Sequence, residues 1–368
     1  MTVDAPRGAA ARQSATAAPT PLRDPYWDTV RFVAIALVVV GHTIEPLSRN
    51  DSMYSLYLFI YAFHMPLFAL VSGVFARAEP VTRREGGRVV SQLLAPYVLF
   101  SVIWAVVRGV VEDKWFLDLG SPYWHLWFLT ALAAWRLVLP VFGALRYPVA
   151  TAVAVSVASG YMPTVGWEFD ASRTLGMLPF FVLGWALTQR GLWPRLRRLA
   201  ARWPARAAAL AVLVVAMAFT WRMEHWARGL NLRGWVQLER NYADLRAGSW
   251  TAGTERLALL GVALLLCLAV LAITPTRESV LSRAGRGTMY VYMLHLFPVY
   301  ALHRTAWFDE SFVSGPRLAL LVLGAVVLAG LLSTRPVRTV FRPLVEPRLG
   351  LLLRAPARSD AEPPVARP

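Results

Sequence analysis

Apolar stretches of membrane-crossing length alternate with short polar punctuation from about residue 29 to residue 334. A helix that crosses a bilayer needs about 20 mostly apolar residues. Ten segments meet or approach that need, near residues 29–47, 54–75, 91–111, 122–141, 147–163, 173–189, 207–223, 256–273, 288–305 and 317–334. Little chain is left between them. The pattern therefore predicts an all-α, polytopic membrane protein of about ten transmembrane helices with no sizeable extramembrane domain. The fifth segment is the weakest, being rich in Ala, Val and Ser and short of Leu.

Charge sets the expected orientation. One set of connections carries Arg83, Arg84 and Arg88, then Arg136 and Arg146, then six arginines from Arg190 to Arg206, then Arg277, Arg283 and Arg286, and finally Arg335, Arg338 and Arg342. The opposite loops are shorter and richer in acids, with Asp51, Glu112, Asp113, Asp118, Glu168, Asp170, Asp309 and Glu310. By the positive-inside rule the arginine-rich side is cytoplasmic and both termini lie there, with a bacterial inner membrane as the expected home. Residues 1–25 read as a disordered cytoplasmic tail, 26–335 as the membrane domain and 336–368 as a basic, Pro-rich cytoplasmic tail. The exception is a long outer segment, about 221–256, that mixes aromatic, basic and acidic residues. Such a surface suits either an interfacial lid or a polar glycan or anionic acceptor.

Composition removes several classes of function. At 57% hydrophobic and 16% charged residues the chain is far too apolar for an ordinary soluble domain. Its net charge of +16 is spread in short clusters between apolar runs, whereas a nucleic-acid binder gathers its basic residues on one face or arm. Cys267, the single cysteine, lies within an apolar run, so an intramolecular disulfide and a thiol nucleophile are both unexpected. The chain has no HExxH or Cys/His metal spacing, no GxSxG elbow around Ser72, and no P-loop or dinucleotide fingerprint. No metal and no tightly bound cofactor are expected.

The first apolar segment, "YWDTVRFVAIALVVVGHTIEPL", poses the central question. Arg31 and His42 are eleven residues apart, which brings them within ~20° of one helix face and ~16 Å apart along the axis. Polar groups at membrane depth are costly unless they face a protein interior or an aqueous cavity, so the pair marks a functional face. Arg31 can snorkel from the inner edge, but His42 sits too deep for that. Glu45 lies three residues beyond His42 on the same side. On these residues alone a proton relay, a transporter and an enzyme all remain open.

The same segment resembles the first helix of the acyltransferase family 3 membrane proteins, whose hallmark is Asp, two residues, Arg, ten residues, His. Here these are Asp28, Arg31 and His42. Further stretches are similar to later family segments: "FHMPLFALVSGVFA", "LLAPYVLF", "HLWFLTALAAWRL", "MLPFFVLGWAL" and "MYVYMLHLF". The nearest flavour is the fucose 4-O-acetylase-like branch. In the first inner loop, "TRREGGRVV" has the charge of the family's Arg-x-x-Arg donor motif but not its spacing.

The resemblance implies a membrane O-acyltransferase moving an acyl group, most simply acetyl, from cytoplasmic acyl-CoA to a hydroxyl of a sugar or glycoconjugate. Acyl transfer needs a proton acceptor for that hydroxyl and positive charge where the oxyanion develops. His42 is the natural base. Arg31 either holds a phosphate of coenzyme A or neutralises Asp28, and Glu45 either orients His42 or is an interfacial acid. Arg83, Arg84 and Arg88 are the expected acyl-CoA contacts. Asp28, His64, Ser72, His125, Trp127, Tyr292 and His295 are the candidate pocket residues. Alternatives are a different acyl group, a lipid or other non-sugar alcohol as acceptor, or a multi-pass transporter.

Overall fold

The computed structural model describes residues 24–49, 51–165, 168–222, 231–245, 247, 250–308, 315–347 and 349. The expected N-terminal tail up to residue 23 and most of the C-terminal tail lie outside the described residues, as do His225, Arg228, Arg246, Asp309 and Glu310 of the outer loops. Every regular element among the described residues is helical.

Helix α1 (Pro25–Ile44) is the axis of the fold. Asp24 caps it, accepting from the Tyr26 amide at 3.0 Å, and Pro25 takes the first helical position, where a missing N–H costs nothing. Its apolar residues run right round the cylinder because neighbours cover it on almost every side. A 3₁₀ turn (Glu45–Arg49) leads to α2 (Asp51–Tyr61) and α3 (His64–Val74). A loop follows, then α4 (Arg83–Val89), joined by a π-helical turn (Val90–Leu94) to α5 (Ala95–Glu112).

The chain continues through α6 (Trp127–Gly143), α7 (Pro148–Ser159) and α8 (Ala171–Gln189), which lies against both α3 and α7. A short basic helix α9 (Trp193–Ala200) precedes α10 (Trp203–Arg222). After the outer helix α11 (Leu232–Gln237) come α12 (Ala252–Ile273), α13 (Val280–Gly285), α14 (Thr288–Leu294), α15 (Leu296–His303), α16 (Gly315–Leu332) and α17 (Arg335–Val345).

Six stretches are long and apolar enough to cross a membrane: Pro25–Leu47, Tyr54–Val74, Arg83–Glu112, Trp203–Arg222, Ala252–Ile273 and Gly315–Leu332. The sequence pattern suggested ten. The difference lies in helices that are short, such as α6 and α7, in α8, which is long enough but not apolar enough, and in the expected span 288–305, which divides into α14 and α15. Helices α10 and α16 are mostly exposed, as expected of helices that face lipid, whereas α1, α3, α8 and α14 form the interior.

Helices α3 and α8 meet without side chains between them. A Cβ on Gly73 would stand 1.9 Å from the Phe181 carbonyl oxygen, and one on Gly184 would stand 2.0 Å from that of Leu70. Small residues at crossings let helix backbones approach where lipid offers no hydrophobic drive for association.

The two interruptions share a cause and a consequence. Pro66 in the first turn of α3 and Pro298 in that of α15 cannot donate to the preceding turn. Nδ1 of His64 bonds the Ile60 carbonyl at 2.8 Å, and Nδ1 of His295 lies 2.9 Å from the carbonyls of Val291 and Tyr292. Each bond fixes the ring and puts the proton on Nδ1, leaving Nε2 as the acceptor.

Candidate active site

Near the C-terminal end of α1 a small cavity of about 90 Å³ is lined by His42, Glu45, His64, His125, Trp127 and Tyr292, together with side chains from α8 and α11. Five of these are supplied by different helices or turns: α1, α3, the turn before α6, α6 and α14. His295 stands behind them, fully buried, with its ring centre 5.4 Å from those of both His42 and His125.

Glu45 is held at both oxygens. Trp124 Nε1 donates to Oε2 at 3.0 Å and Arg233 donates to Oε1 at 3.0 Å. Oε2 also lies 3.6 Å from Nδ1 of His42. That separation is longer than a hydrogen bond and Nδ1 is buried without one, so the carboxylate acts on the ring electrostatically, favouring a proton on the Nδ1 side and leaving Nε2 to take a proton. Trp124 stacks edge-on against the His42 ring at 5.3 Å, which limits its rotation.

Both ring nitrogens of His125 and Nε2 of His295 are shielded from solvent without a hydrogen-bond partner. Orphaned polar atoms of this kind are costly and are tolerated chiefly where function needs them. Tyr292 secures the local backbone by donating from its hydroxyl to the His125 carbonyl.

The wall farthest from α1 is polar. Arg173 of α8 pairs with Asp170 at 3.0 Å and with Glu239, and its guanidinium lies 5.4 Å from the Trp127 ring centre. Gln237 of α11 faces the Tyr57 hydroxyl at 2.6 Å, and with its amide oxygen toward that hydroxyl its nitrogen donates to both Glu239 oxygens at 3.1 Å. Burial raises the Asp170 carboxyl above the usual range; Arg173 opposes that shift and Glu239 reinforces it.

The opposite, arginine-rich face holds a groove of about 760 Å³ bordered by Arg77, Arg84, Arg88 and Arg136. Thr82 and Glu85 cap α4 reciprocally, which holds the start of the helix that carries Arg84 and Arg88. Phe75 lines this groove, and the Arg31 guanidinium sits 3.9 Å from its ring centre. Arg31 also donates to Asp28 at 3.2 Å. Arg31 and His42 of the helical hallmark thus stand at opposite ends of α1, Arg31 beside the groove and His42 in the cavity.

Three of the expected site residues stand elsewhere. Asp28 is buried against α13 and paired with Arg31 at the far end of α1, not in the His42 cavity. Ser72 lies two turns along α3 from His64, roughly 12 Å of helical rise away, and does not line the cavity. Arg83 is exposed on α4 and does not line the groove.

Other participants went unrecognised in the sequence as site residues: Arg77 and Arg136 at the groove, and Trp124, Arg173, Arg233, Gln237 and Glu239 at the cavity. One signal was available for Arg136. It follows His125 by eleven residues, the separation of Arg31 from His42 with the chain direction reversed.

Residues 24–335 match the acyltransferase domain whose family motifs the first helix resembles. The chain belongs to acyltransferase family 3. Among curated relatives, this acyltransferase-family chain is similar to the nodulation protein NolL of Mesorhizobium japonicum, with 28% identity over 37% of this chain and 41% of that protein. It is also similar to NolL of Sinorhizobium fredii, with 29% identity over 45% of this chain and 49% of that protein. The match spans less than half the length of either relative. No solved structure matches.

Proposed function

We propose that this family member is a membrane O-acyltransferase that takes an acyl group, most simply acetyl, from cytoplasmic acyl-CoA and passes it to a hydroxyl of a sugar or glycoconjugate at the outer cavity. The observation that carries this reading is the Glu45–His42 pair in a cavity at one end of α1. At the other end Arg31 sits beside a basic groove.

In this mechanism the phosphates of the donor rest among Arg84, Arg88, Arg77 and Arg136. Arginine suits that task, being permanently charged and able to bind phosphate oxygens in a fork. The thiol arm passes Arg31 along α1 toward Val38, which lines the cavity one turn before His42. Nε2 of His42 takes the proton from the acceptor hydroxyl as its oxygen attacks the thioester carbon. Glu45 stabilises the imidazolium that forms. In this reading the protonated ring nitrogen of His125, which has no partner within the protein, donates to the developing oxyanion. Collapse of the tetrahedral intermediate breaks the carbon–sulfur bond, and the coenzyme A thiolate takes the proton back from the His42 imidazolium, which restores the base.

The cavity holds only a few waters as it stands, so a sugar enters when α11 moves away from Glu45. The Arg233–Glu45 and Gln237–Tyr57 contacts are the ones that must open. The test is product analysis. Proteoliposomes supplied with isotopically labelled acetyl-CoA and a bacterial envelope extract should yield an acetyl ester on a glycan fraction, read by mass spectrometry. Label recovered only in lipid or in a non-glycan small molecule would contradict the assigned acceptor class.

A further inference from the structure

A second basic groove, of about 910 Å³, opens on the arginine-rich face between α13, the start of α14, the end of α16 and α17. Arg283, Arg286, Arg335, Arg338 and Arg342 border it. Arg286 is paired with Glu278 at 2.9 Å and Arg342 with Glu346 at 3.3 Å. Among the described residues no carboxylate pairs with Arg283, Arg335 or Arg338, and Nε of Arg338 is shielded from solvent without an acceptor. The first turn of α17 also points an uncapped helix end into this region. Thr334 makes no capping bond, its hydroxyl being turned back to the Leu331 carbonyl at 2.7 Å. Three guanidinium groups without a carboxylate partner, that of Arg338 lying 5.9 Å from the Tyr290 ring centre, stand beside a first turn in which Pro336 has no N–H and the Arg335 and Val337 amides have no intrahelical acceptor; together they form a receptor for a phosphate group.

The surroundings say what carries that phosphate. Val280 and Leu281, which line the groove, are 68% and 39% exposed, and Val340 beside it is 70% exposed. From the groove an exposed apolar ridge runs along α16 through Leu331, Val327, Leu323 and Leu320, spaced as one helix face. Helix α17 is amphipathic, with Val337, Phe341, Leu344 and Val345 packed inward and Arg335, Arg338 and Arg342 on the groove side. A soluble phosphate has no use for an apolar ridge next to its site, whereas a phospholipid needs both parts.

We propose that this groove binds the headgroup of an anionic phospholipid, with its acyl chains lying along α16, and that bound lipid fastens α17 to the membrane domain. The site is separate from the donor groove and does not depend on the reaction assigned above.

The experiment is a thermal-unfolding titration of the purified full chain in detergent, with native mass spectrometry of bound lipid. The probes are dioleoylphosphatidylglycerol, dioleoylphosphatidylcholine, inorganic phosphate and adenosine 3′,5′-bisphosphate. Phosphatidylglycerol should raise the unfolding midpoint saturably and remain bound in the mass spectrum, while the other three do neither at equal concentration. Arg335→Gln should raise the half-saturating phosphatidylglycerol concentration about fivefold, and Arg283→Gln/Arg335→Gln/Arg338→Gln should raise it by more. The triple Lys variant should stay within about threefold of wild type, since charge is kept. Arg84→Gln/Arg88→Gln, in the other groove, should leave the response unchanged. Equal response to phosphatidylcholine, an unaltered response in both Gln variants, or saturation of the same response by phosphate or the bisphosphate would overturn the proposal. If the triple Gln variant does not fold, the Arg335→Gln shift decides.

Discussion

Nδ1 of His42 and Oε2 of Glu45 lie 3.6 Å apart, while Trp124 and Arg233 each hold Glu45 at 3.0 Å. The carboxylate is thus tied down by two donors before it meets the imidazole, and its position is set by the fold and not by the histidine. Replacing Glu45 by Gln keeps the shape and removes the charge that selects the tautomer and stabilises the imidazolium. The turnover number should fall by about 10²- to 10⁴-fold with little change in the donor KM. Steady-state kinetics of the folded variant checks this; wild-type turnover would mean that Glu45 does not orient His42.

The basic groove should control donor affinity and not chemistry. Arg84→Gln and Arg88→Gln, both lining it, are expected to raise the KM for acyl-CoA about tenfold each while leaving the saturated rate nearly intact. Arg83→Gln, at a position that does not line the groove, should change neither. Acyl-CoA titrations of the three variants measure the contrast, and an Arg83→Gln defect equal to the others would redraw the donor site.

Arg173 separates two carboxylates. It pairs with Asp170 at 3.0 Å and with Glu239, at side-chain exposures of 18%, 11% and 13%. Arg173→Gln leaves both acids facing each other and should cost about 2–3 kcal/mol at neutral pH, less than for a fully buried pair because some water reaches them. Asp170 is already raised by burial and rises further once its cation is gone. A carboxyl raised in the folded state binds its proton more tightly there than when unfolded. The loss is therefore greatest at neutral pH and shrinks as the pH falls through the raised value. Thermal unfolding of wild type and variant between pH 7 and pH 5 should show the two curves converging.

Backbone contact between α3 and α8 predicts a sharp contrast between glycines. Gly184→Ala would place a methyl group 2.0 Å from the Leu70 carbonyl oxygen, and neither backbone can yield cheaply, so stability should fall by about 3 kcal/mol. Gly261→Ala on α12 meets nothing within 4 Å and should be neutral, or stabilising by up to about 1 kcal/mol. Unfolding midpoints in detergent measure both.

Helical period made the α1 part of the site legible. Arg31, His42 and Glu45 share a face because an eleven-residue and a three-residue step both return to it. His64, His125, Trp127, Tyr292 and His295 were recognisable from the family motifs and do converge. The acidic and basic wall is legible only as a segment, the mixed outer stretch of about 221–256, and not residue by residue. Arg233, Gln237 and Glu239 come from the long outer segment, and Arg173 from an unremarkable helix start, so only the folding of that segment over the cavity brings them to His42. Asp28 and Ser72 mislead for the opposite reason. Both belong to motif helices whose cavity-facing residues lie further along, about four turns from Asp28 to His42 and two from Ser72 to His64. Hydropathy likewise gave ten apolar segments without revealing that proline divides two of them, placing His64 and His295 at the interruptions.

Whether His42 is the base for acyl transfer is decided by acceptor-dependent release of coenzyme A from acetyl-CoA by purified protein, wild type against His42→Ala. Both proteins must show the same unfolding midpoint in detergent, and sugars and envelope extract serve as acceptors. Wild type should release coenzyme A and the variant should lose at least about 10³-fold of that rate. Release by His42→Ala at the wild-type rate would mean that His42 is not the base.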